Sequence, residues 1–247
     1  MRKLVLVAAA LTLGACGNPP QPTQESASGQ VDSAQVHQAV ALTPSQQQGQ
    51  IIYQSVCWSC HGNDGRGNGP AVKAGAMTSP PTFLSPKYAT ATVQELQERF
   101  QVGMEGQDPN HPHMKYVASL LKPEKFTQAL SYIPALSYPA EIPGSAIAGQ
   151  QIFQYRCAPC HGPSGLGNGP AAEFLVTVKP ANLTKDTLIA SKDWNAVYNK
   201  IRQGGQNVHG SSMPPWGVTL GSDEIWDLVA YLATFQPGLV AKPAWAN

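Results

Sequence analysis

Cys57-Trp58-Ser59-Cys60-His61 and, one hundred positions later, Cys157-Ala158-Pro159-Cys160-His161 are the two stretches on which the reading of this sequence turns. Neither stands alone. Residues 49–71 and 149–171 share fourteen identities in twenty-three positions, from Gly49-Gln50 to Asn68-Gly69-Pro70-Ala71. That is too many for chance, so the chain is an internal duplication, and each copy is expected to fold as one unit.

Both copies carry helical signals at their ends. Gly49, Ile52 and Tyr53 match Gly149, Ile152 and Phe153 at helical spacing just before the cysteine pairs. Each copy closes on another periodic run. Ser222-Asp223-Glu224 supplies a capping hydroxyl and first-turn acids ahead of Ile225, Val229 and Leu232; Pro123-Glu124 precedes Phe126, Leu130 and Ile133. No stretch alternates with period two for long, so the predicted fold is all-α. Between the copies, Ile133-Pro134 to Pro143-Gly144 is proline-rich and reads as a semi-rigid connector unable to continue a helix.

The N-terminus reads as a targeting segment. Arg2 and Lys3 precede an apolar run, Leu4 to Leu13, too short for a lasting membrane span, and Leu13-Gly14-Ala15-Cys16 follows. This site resembles that of bacterial lipoproteins, which implies acylation of Cys16 and residence on the periplasmic side of a bacterial membrane. Gly17 to Pro44 is poor in large apolar residues and reads as a tether, with His37 solvated within it. Losing Arg2 and Lys3 leaves 14 basic against 15 acidic residues, so nothing in the charge points to nucleic acid.

With Cys16 assigned to processing, four of the five cysteines form the two pairs. Cysteines three apart on a helical turn share a face and can bond the two vinyl groups of one haem, with the adjoining histidine beneath the iron. Three other readings compete. A redox dithiol expects a βαβ setting, which is absent. A zinc site would have to join pairs one hundred residues apart. A structural disulfide is allowed in an export compartment. Two such motifs in a duplicated frame with an export signal favour two covalent haems.

Each copy resembles a class I c-type cytochrome domain, through Cys-x-x-Cys-His and the glycine-rich runs His61-Gly62 to Asn68-Gly69-Pro70 and His161-Gly162 to Asn168-Gly169-Pro170. The resemblance implies a small helical bundle around one haem in residues 44–136 and another in 145–236. The remainder would be a leader at 1–15, a tether at 16–43, a linker at 137–144 and a tail at 237–247. It further implies that Cys57, Cys60, Cys157 and Cys160 hold haem c, that His61 and His161 are axial ligands, and that the carbonyls of Pro70 and Pro170 accept their ring N–H groups.

Ser212-Met213-Pro214-Pro215-Trp216 resembles the family's distal methionine loop, which makes Met213 the expected sixth ligand of the second iron. In copy one, aligning the closing helices at an offset of ninety-nine sets Met114 on Met213, with His113 and Met104 left as alternatives. Lys115 stands where the family usually has proline. Irons closed on both sides by side chains pass electrons and bind no substrate. The expectation is therefore an electron-transfer protein, not an enzyme, serving an oxidase, a quinol-oxidising complex or a dehydrogenase. The alternative is a dihaem peroxidase or sulfur-compound oxidiser with an openable first haem.

Overall fold

The computed structural model describes residues 37–38, 40–107, 113–243 and 245. The leader 1–15, Cys16, residues 17–36 of the expected tether and His111 lie outside the described residues. Among those described there are helices and turns and no strand, in agreement with the all-α expectation. None of these helices is long and apolar enough to cross a membrane.

Copy one opens on α1 (Pro44–Ile52), which passes through a π-helical turn at Tyr53–Cys57 into the helical turn Trp58–His61. Thr43 starts it through a reciprocal cap: Gln46 N–H donates to Thr43 Oγ1 at 3.3 Å, and Thr43 N–H donates to Gln46 Oε1 at 2.9 Å. Then follow α2 (Val93–Met104), α3 (Met114–Leu120) and α4 (Pro123–Leu136). Copy two repeats the plan with α5 (Ala146–Arg156), the turn Ala158–His161, α6 (Trp194–Gln203) and α7 (Ser222–Ala233).

In both copies the entry helix lies against the closing helix, α1 on α4 and α5 on α7. The approach is close because glycine sits at the crossing. A Cβ on Gly49 would strike the carbonyl of Gln128, and one on Gly149 the carbonyl of Asp227. Beside each glycine an aromatic pair closes the contact: Tyr53 with Tyr132 at 5.4 Å between ring centres, and Phe153 with Tyr231 at 5.2 Å. The helical periodicity points inward as expected. Phe126, Leu130 and Ile133 are buried on α4, and Ile225, Val229 and Leu232 on α7. Each such side chain contributes about 1.5–3 kcal/mol relative to exposure.

The structure corrects the sequence reading in four places. First, the cap of α7 is Gly221, not Ser222, and its N–H donates to Glu224 Oε2 at 2.8 Å. Second, α4 runs through Pro134 to Leu136. A proline inside a helix forfeits the bond to the carbonyl four residues back and costs about 3 kcal/mol, which the burial of Ile133 and Leu136 offsets. Third, the connector is part of the core: Tyr138 and Ile142 are buried in the cluster of copy two, and Ser137 Oγ donates to the carbonyl of Phe83. Fourth, His37 is docked. Its ring stacks on Phe235 at 4.1 Å and 21°, Nε2 lies 2.9 Å from Thr234 Oγ1, its carbonyl accepts from Tyr231 O–H at 2.7 Å, and its N–H donates to Pro163 O. A half-exposed ring that can lie flat on another gains more from contact than from water. Beyond it Val40 packs against the cores of both copies, and Ile147 of α5 is buried in the core of copy one.

Candidate functional site

A cleft of about 230 Å³ opens in copy one. Cys57, Cys60 and His61 line it from the end of the entry helix, α4 contributes Phe126, Leu130 and Ile133, and Met114 lines it from the start of α3. Gly103 of α2 leaves room for that methionine, since a Cβ there would lie 3.2 Å from Met114 Cβ. Met77 and His113 also line the cleft; Met104 packs on the core of copy one and is not among the lining residues. The ring of Phe83 stacks on His61 at 4.2 Å and 14°.

The thiols suit covalent attachment. All four cysteines of the two pairs are free of disulfides. Burial, with the neighbouring Cys60, pushes the Cys57 thiol up to about 12; burial with Cys160 does the same for Cys157. Both stay neutral and unreactive as thiolates at physiological pH, which argues against a redox dithiol.

The glycine-rich turn after each histidine is built identically in the two copies. Gly67 and Gly167 N–H donate to the carbonyls of His61 and His161 at 2.8 Å. Phe83 and Leu183 N–H return to Gly65 and Gly165 at 2.7 Å. Gly67 and Gly167 both have φ +79°, and a Cβ on either would meet the carbonyl of Pro80 or a backbone oxygen of Pro180. Only glycine fits such a turn without strain. The repeat therefore extends past the motif to Pro80-Pro81-Thr82-Phe83 and Pro180-Ala181-Asn182-Leu183.

That extension matters for the histidine. His161 Nδ1 lies 3.1 Å from the carbonyl oxygen of Ala181, where the resemblance had pointed to Pro170. Pro170 instead opens a 3₁₀ turn, Pro170–Phe174, and in copy one the carbonyl of Pro70 accepts the N–H of Ala74 at 2.9 Å. Both prolines serve as the first residue of a helical turn, a place that suits their fixed φ. Burial lowers the His161 pKa, opposed by the Ala181 contact and by Asp186. A neutral ring donating from Nδ1 leaves the Nε2 lone pair for a metal.

The two methionines are presented differently. Residues 211–215 form a loop with no helical turn, because Pro214 and Pro215 disfavour a helix there. The loop is pinned by Gly205 N–H to Met213 O at 2.9 Å. In copy one Lys115 and Tyr116 replace the prolines, and Met114 heads a helix. His209 is exposed.

Paired disulfide-free cysteines on one turn, an adjoining imidazole, a thioether and an apolar lining fit a covalent haem. Among the described residues no three His, Cys, Asp or Glu gather as a bare-metal site would need. Comparison with known proteins agrees with the haem reading. Residues 46–137 match the family model for cytochrome c, and residues 144–232 the model for cytochrome c oxidase, cbb3-type, subunit III. The chain is 26% identical over 201 residues to the cbb3-type cytochrome c oxidase subunit FixP of Azorhizobium caulinodans, covering 80% of this chain and 62% of that one. It is 24% identical over 184 residues to the cbb3-type cytochrome c oxidase subunit CcoP of Rhodobacter capsulatus, covering 71% and 54%. The chain thus spans between half and two thirds of the length of these relatives. With a haem-attachment motif in each matched half, the chain belongs to the c-type cytochromes, as a tandem of two domains that bind two covalent haem c groups.

Proposed function

We propose that this cytochrome carries single electrons between respiratory partners at the periplasmic face of a bacterial membrane, held there by a lipid on Cys16. In copy one Cys57 and Cys60 would form the thioether links and His61 and Met114 would ligate the iron; in copy two Cys157, Cys160, His161 and Met213 would do the same. When bound, each haem supplies a ferric/ferrous couple, which a thioether ligand raises in potential. The side chains supply the rest: the thiols fix the ring, the carbonyl of Ala181 orients His161, and the apolar wall of α4 keeps water from the iron.

The single observation that carries this reading is the convergence of Cys57, Cys60, His61 and Met114 on one apolar cleft. Two side chains of ligating type for one iron support a carrier over the dihaem enzyme, and no cysteine remains outside the pairs except Cys16. The leader supports the lipid anchor, where each buried methylene contributes about 0.8 kcal/mol. Relatives named as subunits of a cbb3-type oxidase support an oxidase as partner.

The test is carbon monoxide binding to the reduced holoprotein, scored beside haem content by the alkaline pyridine assay. Two haems per chain and no binding are expected; stoichiometric binding at one haem would favour the enzyme. Fatty-acid labelling lost in Cys16→Ala checks the anchor, and labelling equal to wild type would remove it.

A further inference from the structure

Arg66 breaks the repeat. It sits in the glycine-rich turn after His61, where copy two has Leu166, about half exposed. Its guanidinium leaves its own domain. Nη2 and Nη1 each lie 2.9 Å from an oxygen of Asp227 on α7, a two-pronged grip on one carboxylate. Nη1 also meets Asp64 Oδ2 at 2.7 Å, and Nη2 donates to the carbonyls of Pro143 at 3.1 Å and Asp223 at 3.4 Å. Asp227 departs from the repeat as well, since the closing helices align it with Gln128. Its Oδ1 accepts the N–H of Ser145, the cap of α5, at 2.7 Å.

One side chain of copy one therefore reaches the closing helix and the connector of copy two, and Asp227 carries the contact on to its entry helix. The pair is nearly dry, with 10% of the Arg66 side chain and 3% of the Asp227 side chain exposed. At both positions the two copies have diverged, so neither half carries the pair by itself. The apolar contacts across the same boundary, at Val40 and Ile147, resist separation but have no preferred direction. A planar fork with acceptors on several elements has one orientation that satisfies it.

We propose that Arg66 is a positioning residue that fixes the relative orientation of the two haem domains and thereby the rate of electron passage between them. The inference rests on the electron-transfer reading above. The step moves one electron from a ferrous to a ferric centre, with no bond made or broken and no proton released. Its rate falls exponentially with the gap, so a wobbling pair of domains would give a spread of rates.

The experiment compares full-length holoprotein carrying Arg66→Leu together with Asp227→Asn against wild type. The double change removes both charges yet leaves an amide oxygen for Ser145, while Asp64, with 16% of its side chain exposed, keeps the N–H of residue 66 and the Asn68 amide as donors. Haem content is measured first: wild type without two haems per chain would sink the haem reading itself, whatever the variant does. Pulsed electron paramagnetic resonance between the ferric centres should give a narrow distance distribution in wild type and a broad one in the variant. Pulse radiolysis should give one interhaem rate in wild type, and in the variant a mean rate lower by roughly an order of magnitude. An unchanged distribution and rate, with both haems present, would overturn the proposal. Arg66→Lys keeps the charge without the fork and should fall between; complete recovery by lysine would also count against it.

Discussion

The ring of His161 and the carbonyl of Ala181, twenty residues apart in sequence, meet at 3.1 Å. The contact joins the haem-attachment turn to the loop that follows it. It gives the imidazole one orientation and one tautomer, with the proton on Nδ1 and the lone pair of Nε2 aimed elsewhere.

If Nε2 of each histidine is opposed by a methionine sulfur, the oxidised protein shows the far-red band of sulfur-to-iron ligation at two-haem intensity. Met213→Ala and Met114→Ala are each expected to halve it, read by absorbance per haem. Full intensity in Met114→Ala would hand the first iron to Met77, which lines the same cleft, and half intensity in wild type would leave His113 as the ligand.

The helix crossing at Gly149 leaves no space for a methyl group, because the carbonyl of Asp227 and Tyr231 Cβ occupy it. Gly149→Ala is expected to lower unfolding stability by about 1–3 kcal/mol, measured by urea denaturation of the holoprotein. An unchanged midpoint would mean that α5 and α7 can part freely.

Burial pushes the Asp227 carboxyl up from 3.8 to about 6, against the hydrogen bond and charge of Arg66 and the Ser145 N–H, which favour ionisation. A carboxyl raised on folding binds more protons folded than unfolded. Its contribution to stability is thus complete below 3.8 and lost as pH rises through about 6. Stability curves of wild type and Asp227→Asn should therefore diverge inside that window and run parallel outside it. Parallel curves throughout would show that burial does not govern this group.

His37 titrates in the opposite sense. Burial lowers its pKa from 6.5, with the Thr234 contact opposing. Its stabilisation is present above 6.5 and lost as pH falls through the lower folded value. Amide exchange of residues 37–38 and 40–43, corrected for intrinsic rate, should speed up on acidification in wild type but not in His37→Phe, which keeps the stack on Phe235. Equal acid response in both would take the switch away from this ring.

What could be read from the sequence was what side chains announce by type and spacing. The cysteine pairs, both histidines, Met213 and the buried stripes of α4 and α7 carry their chemistry in their own atoms. Ala181 does not, since its part is played by a backbone carbonyl that any residue would supply. A signal existed in the parallel between Pro80-Pro81-Thr82-Phe83 and Pro180-Ala181-Asn182-Leu183, which extends the repeat past the motif. Arg66 and Asp227 had the reverse signal, positions where the copies disagree, and nothing in either residue alone names its partner. The burial of Tyr138 and Ile142 was hidden by the prolines around them, which usually mark solvent-facing turns.

Tyr138 and Ile142 have a practical consequence. Because the connector is folded into copy two, the molecule does not come apart into two independent single-haem cytochromes. A cut anywhere in residues 137–144 would bare its apolar side chains to water and strand the Asp227 carboxylate without its cation. Any attempt to study one half by truncation would yield a damaged fragment whose colour, potential and solubility describe the injury more than the native half.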